Sequence, residues 1–264
     1  MNEFLPSLFV ENVRRLALGL EPLDAERRTR IAHPIRVVFS EEARGLKGPK
    51  VDRHPSCLHA LLYDPRLKAR VRLRFLEDNR RFVPRLISYP IVPVAQAELA
   101  PHWMRVRHPH LFPGAAYDLT GLMTGVRGRV ARGGTAVRWA RIVATLPGTT
   151  TVVGRAQGDD RGEFLLLVSP QASPVAELND PLAIRLTVTG PAIAPVPSTP
   201  DLPSLDPWWD LPEEIADNLD PNQPGIDTVS TGEDLPTGYT ASVARNLSLP
   251  LGAIHSETAP FNLP

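Results

Sequence analysis

The sequence predicts an all-β protein, made of two β-sandwich domains followed by an extended, Pro-rich C-terminal arm. Three observations carry that prediction. Apolar and polar residues alternate with the period of two that a half-buried strand requires. Short apolar runs recur between glycine and proline turns, as in antiparallel sheets. The last quarter, residues 191–264, holds 13 of the 29 prolines, each of which fixes φ and removes a backbone donor. A chain of 264 residues is long enough for two small cores. No stretch reaches the roughly 20 apolar residues of a membrane helix, so no membrane insertion is expected.

In chain order, Leu16, Leu18 and Leu20 alternate as a strand over about 13–21, although Phe9, Val13, Leu16 and Leu20 also share a helical face. "IRVVF" at 35–39 is a β-branched run. "ARVRLRFLED" at 69–78 alternates strictly, with Val71, Leu73 and Phe75 on one face and Arg70, Arg72 and Arg74 in a row on the other. In "RFVPRLISYPIV", 81–92, Pro84 and Pro90 put a strand at a sheet edge or fall at its ends. The proline-punctuated stretch 101–118 is a connection, which places the domains at 1–117 and 118–190. The runs "VRGRVA", "AVRWARIVAT", "TTVVGRA", "GEFLLLVS" and "LAIRLTVTG" supply the second sandwich.

The arm follows. "PAIAPVPSTPDLPSLDP" excludes a helix or a central strand. "DPWWDLPEEIADNLDP", 206–221, reads as an amphipathic helical anchor, with Trp208, Trp209, Leu211, Ile215 and Leu219 apolar and Glu213, Glu214 and Asp217 solvated. Val243, Leu247 and Leu249 alternate in a terminal stretch that runs to Phe261. It reads as one or two strands able to add to a sheet edge of this chain or of a neighbour.

Charge divides along the chain. Residues 1–190 carry 28 Lys/Arg against 18 Asp/Glu, while 191–264 carry Arg245 alone against 11 acids, so a body of net +10 meets a tail of net −10. Attraction orients the tail on a basic surface, and whether it docks in cis or in trans stays open. The arginine row lacks the interleaved aromatics of a single-strand-binding groove, and no nucleic acid is expected.

"TVVGRAQGDDRGEFLLLV", 151–168, sets Asp159, Asp160 and Glu163 between two strands. Aspartates with Gly162 form a turn; a glycosidase pair needs carboxylates about 5–10 Å apart across a cleft, and calcium loops need alternating ligands. His54, Cys57, His59, His108 and His110 are residue types that suit zinc, but proline after His54 and His108 points to loops. Whether they bind a metal stays open, and no cofactor is assigned. H-E-x-x-H, G-x-S-x-G and phosphate-loop patterns are absent, so no enzyme is expected. A carbohydrate- or surface-binding module is the alternative, with Trp103 and Trp139 as its aromatic candidates.

Gly128-Arg129-Val130, Ala136-Val137, and then Ala156, Asp159–Asp160, Gly162 and Phe164 together resemble the carboxypeptidase regulatory-like (transthyretin-like) module over roughly 119–190. The usual Pro-Val before the second strand is replaced by "GGTAV". The resemblance implies an Ig-like sandwich, Phe164 in its core, and a binding or structural accessory without chemistry. The lone Cys57 excludes an intrachain disulfide framework, and Glu3 ahead of the first apolar residues is the reverse of a secretory signal. With the long arm, this architecture resembles an accessory subunit of phage-tail-like contractile injection particles: a cap, adaptor or baseplate component, assembled in the bacterial cytoplasm and then part of a released or cell-associated particle. Its partners would be other protein subunits, in homo- and hetero-oligomers. The expected interface is Trp208, Trp209, Leu211, Ile215, Leu219, Arg70, Arg72, Arg74, Val243, Leu247, Leu249 and Phe261. A chain shortened at residue 190 is expected to stay folded and to fail to assemble.

Overall fold

The computed structural model describes residues 15–40, 49–169, 181–220, 222 and 227–264. The protein is predominantly β. The first body begins with β1 (Leu16–Leu20), β2 (Leu23–Asp24), β3 (Arg36–Phe39), β4 (Val51–Arg53), β5 (His59–Leu62), β6 (Arg70–Leu76), β7 (Arg85–Pro90), β8 (Val106–Arg107) and β9 (His110–Leu111). One sheet runs β4-β5-β1-β8, and β2 pairs with β9. In β1 the register shifts between Leu16 and Leu18, which buries Ala17 beside Leu18 and Leu20 and explains why strict alternation fails there. Leu18, Leu61, Leu73, Phe75, Ile87 and Tyr89 meet in the first core.

The second body contains β10 (Gly125–Arg132), β11 (Thr135–Ala136), β12 (Arg141–Thr145), β13 (Val152–Gln157), β14 (Glu163–Leu167) and β15 (Leu182–Pro191). The chain continues through α1 (Leu202–Leu205), β16 (Glu213–Ile215), α2 (Thr228–Thr231), β17 (Tyr239–Leu249), β18 (Ile254–Ser256) and β19 (Phe261–Asn262). β16 lies parallel to β7, completing the order β16-β7-β6-β3, so β7 is interior and its prolines fall at or just before its ends. β14 shows why "FLLLV" does not alternate: Phe164 and Leu166 enter the second core while Leu165 and Leu167 enter the first.

The end of the chain is built into the second body. β17 pairs antiparallel with β15 from Leu182↔Leu249 to Pro191↔Tyr239, extending the sheet β13-β12-β15-β17. β18 and β19 pair parallel with β10 in the facing sheet. Leu249, Phe261 and Leu263 fill the core between them, beside Val126, Ile142, Leu166, Ile184 and Val188. A boundary at 190 therefore cuts through a sheet, because strand pairing joins segments some 60 residues apart that local composition separates. Gly128 sits mid-strand for the same reason: a Cβ there would lie 2.6 Å from the Phe164 ring, which packs at 5.8 Å from Phe261.

This packing argues against the expectation that a chain shortened at 190 stays folded. Removing a large core side chain costs about 2–5 kcal/mol, so losing Leu249, Phe261 and Leu263 approaches the ~5–15 kcal/mol that holds a typical domain. A chain ended after Pro191 is expected to show no cooperative transition for the second body in urea. A transition matching the full chain would contradict this.

Candidate interaction site

The site is the seat of residues 206–220 and 227–231 on the first body. β6 turns Val71, Leu73 and Phe75 into the core, so its alternate residues Arg70, Arg72 and Arg74 form the opposite face, and the arm crosses that face. Arg70 donates from Nη1 to the carbonyls of Ser88 and Ala216, at 2.8 and 2.7 Å. Arg72 pairs with Glu213 at 2.9 Å. Arg74 grips Asp206 with both terminal nitrogens, at 2.8 and 2.7 Å, and both side chains are buried. Planar guanidinium matched to carboxylate gives directional pairs that an ammonium group does not.

The most deeply buried carboxylate of the arm is Glu214. Arg85 of β7 donates to its two carboxylate oxygens at 2.9 and 2.7 Å, and Arg141 of β12 approaches Oε1 at 3.2 Å. Arg85 and Glu214 are 0% and 2% exposed. The remaining Arg85 donors go to the carbonyls of His110, Val229 and Ser230, so no charge is left to one partner alone. Burial by itself would raise the Glu214 carboxyl, but the charges and hydrogen bonds of Arg85 and Arg141 outweigh it and hold the group below its ordinary value. One carboxylate from the arm thus ties both bodies together.

Two further contacts complete the seat. Arg107 pairs with Asp227 at 2.7 Å and donates to the Asp217 carbonyl at 3.1 Å. Asp227 in turn caps α2, accepting from the Ser230 amide at 3.0 Å. Trp139, held at φ +62°, donates to Asp210 at 2.9 Å and packs with Val83, Leu86 and Leu211 against Trp208. Tyr239 donates to the Trp139 carbonyl, and burial pushes the tyrosine hydroxyl up to about 12.

Of the expected helical anchor at 206–221, the described residues 206–220 do not form a helix. Pro207 and Pro212 break it, and β16 imposes a period of two, so Glu214 points inward while Ile215 is 51% exposed. The solvated placement of Glu214 and the buried placement of Ile215 are thereby reversed. Of the other expected contact residues, Leu211 is buried at the seat, and Trp208, Trp209 and Leu219 are half-buried. Val243 and Leu247 pack on the second core, and Leu249 and Phe261 lie inside it. Sequence reasoning missed Arg85, Arg107, Arg141, Asp206 and Asp227. The available signal was arginine inside otherwise apolar runs, "VPRLISY" and "WARIVA", with too few local acids to answer it.

Elsewhere the candidate residues have local duties. Asp159 accepts from the amides of Arg161 and Glu163 and closes the β13–β14 turn, with Gly162 at φ +73°, and Asp160 pairs with Arg80 at 3.0 Å across the two bodies. His59 is hydrogen bonded to the Ile35 carbonyl, His54 to Ser56, and His108 meets Glu21 at 3.2 Å. Cys57 lies beside Arg53, and the backbone carbonyl of His110 accepts from Arg85. Among the described residues, no three His, Cys, Asp or Glu side chains converge on one point. Trp139, 1% exposed, offers no face to a sugar, and Trp103 is half-buried. A cleft of about 270 Å³ between the bodies is lined by Arg127, Arg129, Asp159, Glu163 and Glu257, among others. Among the described residues no helix is long and apolar enough to cross a membrane. Comparison with protein families, curated proteins and solved structures finds no match for the chain.

Glu214→Gln leaves two buried guanidinium groups facing a neutral amide. Breaking a buried pair costs about 3–5 kcal/mol, whereas Glu213→Gln, at a part-exposed pair, costs under about 1 kcal/mol. Urea denaturation of the two variants should separate them; equal losses would contradict the placement. Acid should also weaken the protein through this group. The Glu214 contribution is present above the ordinary 4.5 and is lost as pH falls through its lower folded value. The urea midpoint should therefore fall below pH 4.5. In Glu214→Gln that fall is expected to shrink, and an unchanged acid limb would count against the pairing.

Proposed function

We propose that the chain is a non-enzymatic structural subunit of a larger protein assembly, read as two β-sandwich units locked by an arm, and that it contacts its neighbours through surfaces left outside that lock. The observation that carries this reading is the allocation of its groups. The deepest charged side chains, Arg85, Glu214, Arg141, Arg74 and Asp206, are spent on fixing the chain's own parts together. Three large apolar side chains, by contrast, stand exposed on the strap between Pro191 and Asp206, Ile193, Val196 and Leu205 at 82%, 81% and 75%, while the similarly exposed Leu99 and Leu122 are scattered elsewhere. A strap pinned at both ends has already lost much of its freedom, which lowers the entropic cost of docking.

The resemblance to a carboxypeptidase regulatory-like module, together with the arm, supports the narrower setting of a cap, adaptor or baseplate component in a contractile injection particle. In the native host, a tagged full-length chain is then expected to sediment with a multi-subunit particle. Ile193→Asp/Val196→Asp should leave thermal unfolding within about 0.5 kcal/mol. It should also reduce the particle-bound fraction by about tenfold or more, since two lost apolar contacts exceed ~1.4 kcal/mol. A wild-type chain found only free, or a variant that incorporates equally, would overturn the reading.

A further inference from the structure

The second body ends in an edge of unusual composition. β17 is eleven residues long and lies outermost in its sheet, and among the described strands only β15 pairs with it. Four other described edges are blunted. β4 is three residues long and carries Asp52 and Arg53; β3 is four residues long and opens on Arg36; β16 is three residues long and follows Pro212. β13 opposes a register shift in β12 between Ala144 and Thr145, and it carries Arg155. β17 meets a register shift only at its start, where the pairing with β15 passes over Thr240 between Ala241 and Tyr239, and it carries none of the other devices from Ala241 onward. No proline interrupts it, and its exposed row is Thr240, Ser242, Ala244, Asn246 and Ser248, small and uncharged.

The single charge on the strand is turned away from that row. Arg245 donates to the carbonyls of Ala259 and Pro260, both at 3.1 Å, pairs with Glu257 at 3.4 Å and lies 4.3 Å over the Phe261 ring. A long edge whose exposed row holds no charge is what proteins normally avoid, because its unpaired N–H and C=O groups template another strand.

We propose that β17 pairs antiparallel with β17 of a second copy of this chain, about a two-fold axis through Ala244, joining two four-stranded sheets into one of eight strands. The second copy fits because the row is self-complementary. Overlap of Ala241–Leu247 with its copy sets Ser242 against Asn246, a hydroxyl and amide pair that bonds across strands, and it sets Arg245 against Val243, so like charges never face. The seven residues Ala241–Leu247, regular and symmetric about Ala244, supply about six to eight backbone hydrogen bonds, within the range a typical specific interface carries. The interface is isologous and closes on itself. This inference goes beyond the structural role proposed above and uses a different surface from the strap.

The purified full-length chain is expected to be a dimer by sedimentation velocity at about 100 μM and to dissociate on dilution. Ser242→Lys/Asn246→Lys sets lysine against lysine on both sides of the axis and should raise the dissociation constant at least about tenfold. Ser242→Lys/Asn246→Glu makes the same contacts complementary and should restore the dimer, with thermal unfolding verifying that both variants fold. A wild-type chain that stays monomeric at the highest concentration overturns the inference, as does a double-lysine variant that dimerises like the wild type. Either result leaves incorporation through the strap unaffected, so the two readings fail separately.

Discussion

The structure depends on one buried carboxylate. Glu214 sits between Arg85 of the first body and Arg141 of the second, and the three come from segments far apart in sequence. Such a cluster is costly to bury and is tolerated only when its donors and acceptors are matched. Here Arg85 satisfies that condition through both Glu214 oxygens and three backbone carbonyls. Its consequence is geometric, because a guanidinium fork accepts a carboxylate in few orientations. The arm therefore has one seat, and that seat fixes where β16 lies beside β7.

Apolar packing also couples the two bodies, at two places. β14 is apolar on both faces because Leu165 and Leu167 serve one core while Phe164 and Leu166 serve the other. Trp139, from the second body, closes over Val83 and Leu86 of the first together with Leu211 from the arm. Packing supplies most of the free energy, and the ionic cluster supplies the register. The arm is accordingly a structural member of the chain that carries it, and the surfaces free for partners are those it leaves bare.

Much of this was legible in the sequence, at the level where local pattern decides. The strand at 70–76 follows from strict alternation, the Asp159 turn from its aspartates and Gly162, and the meeting of acidic tail with basic body from the division of charge at 190. The misreadings share one cause. Residues 206–221 have apolar spacing compatible with a helix, but β7 offers a strand edge, and pairing with it overrides the local pattern and buries Glu214 instead of Ile215. Likewise the chain after 190 looks separate until β15 pairs with β17, because no local signal encodes a partner so distant. The buried arginines were visible only as oddities inside apolar runs.

The most direct measurement is native-state hydrogen exchange at the arm. The Ala216 amide bonds to the Ser88 carbonyl at 3.0 Å, beside the Glu214 cluster. If that cluster holds the arm in its seat, this amide exchanges only in openings whose free energy approaches global unfolding, and Glu214→Gln lowers that free energy selectively for the arm. Exchange at the rate of an unstructured peptide in the wild-type chain would contradict the account.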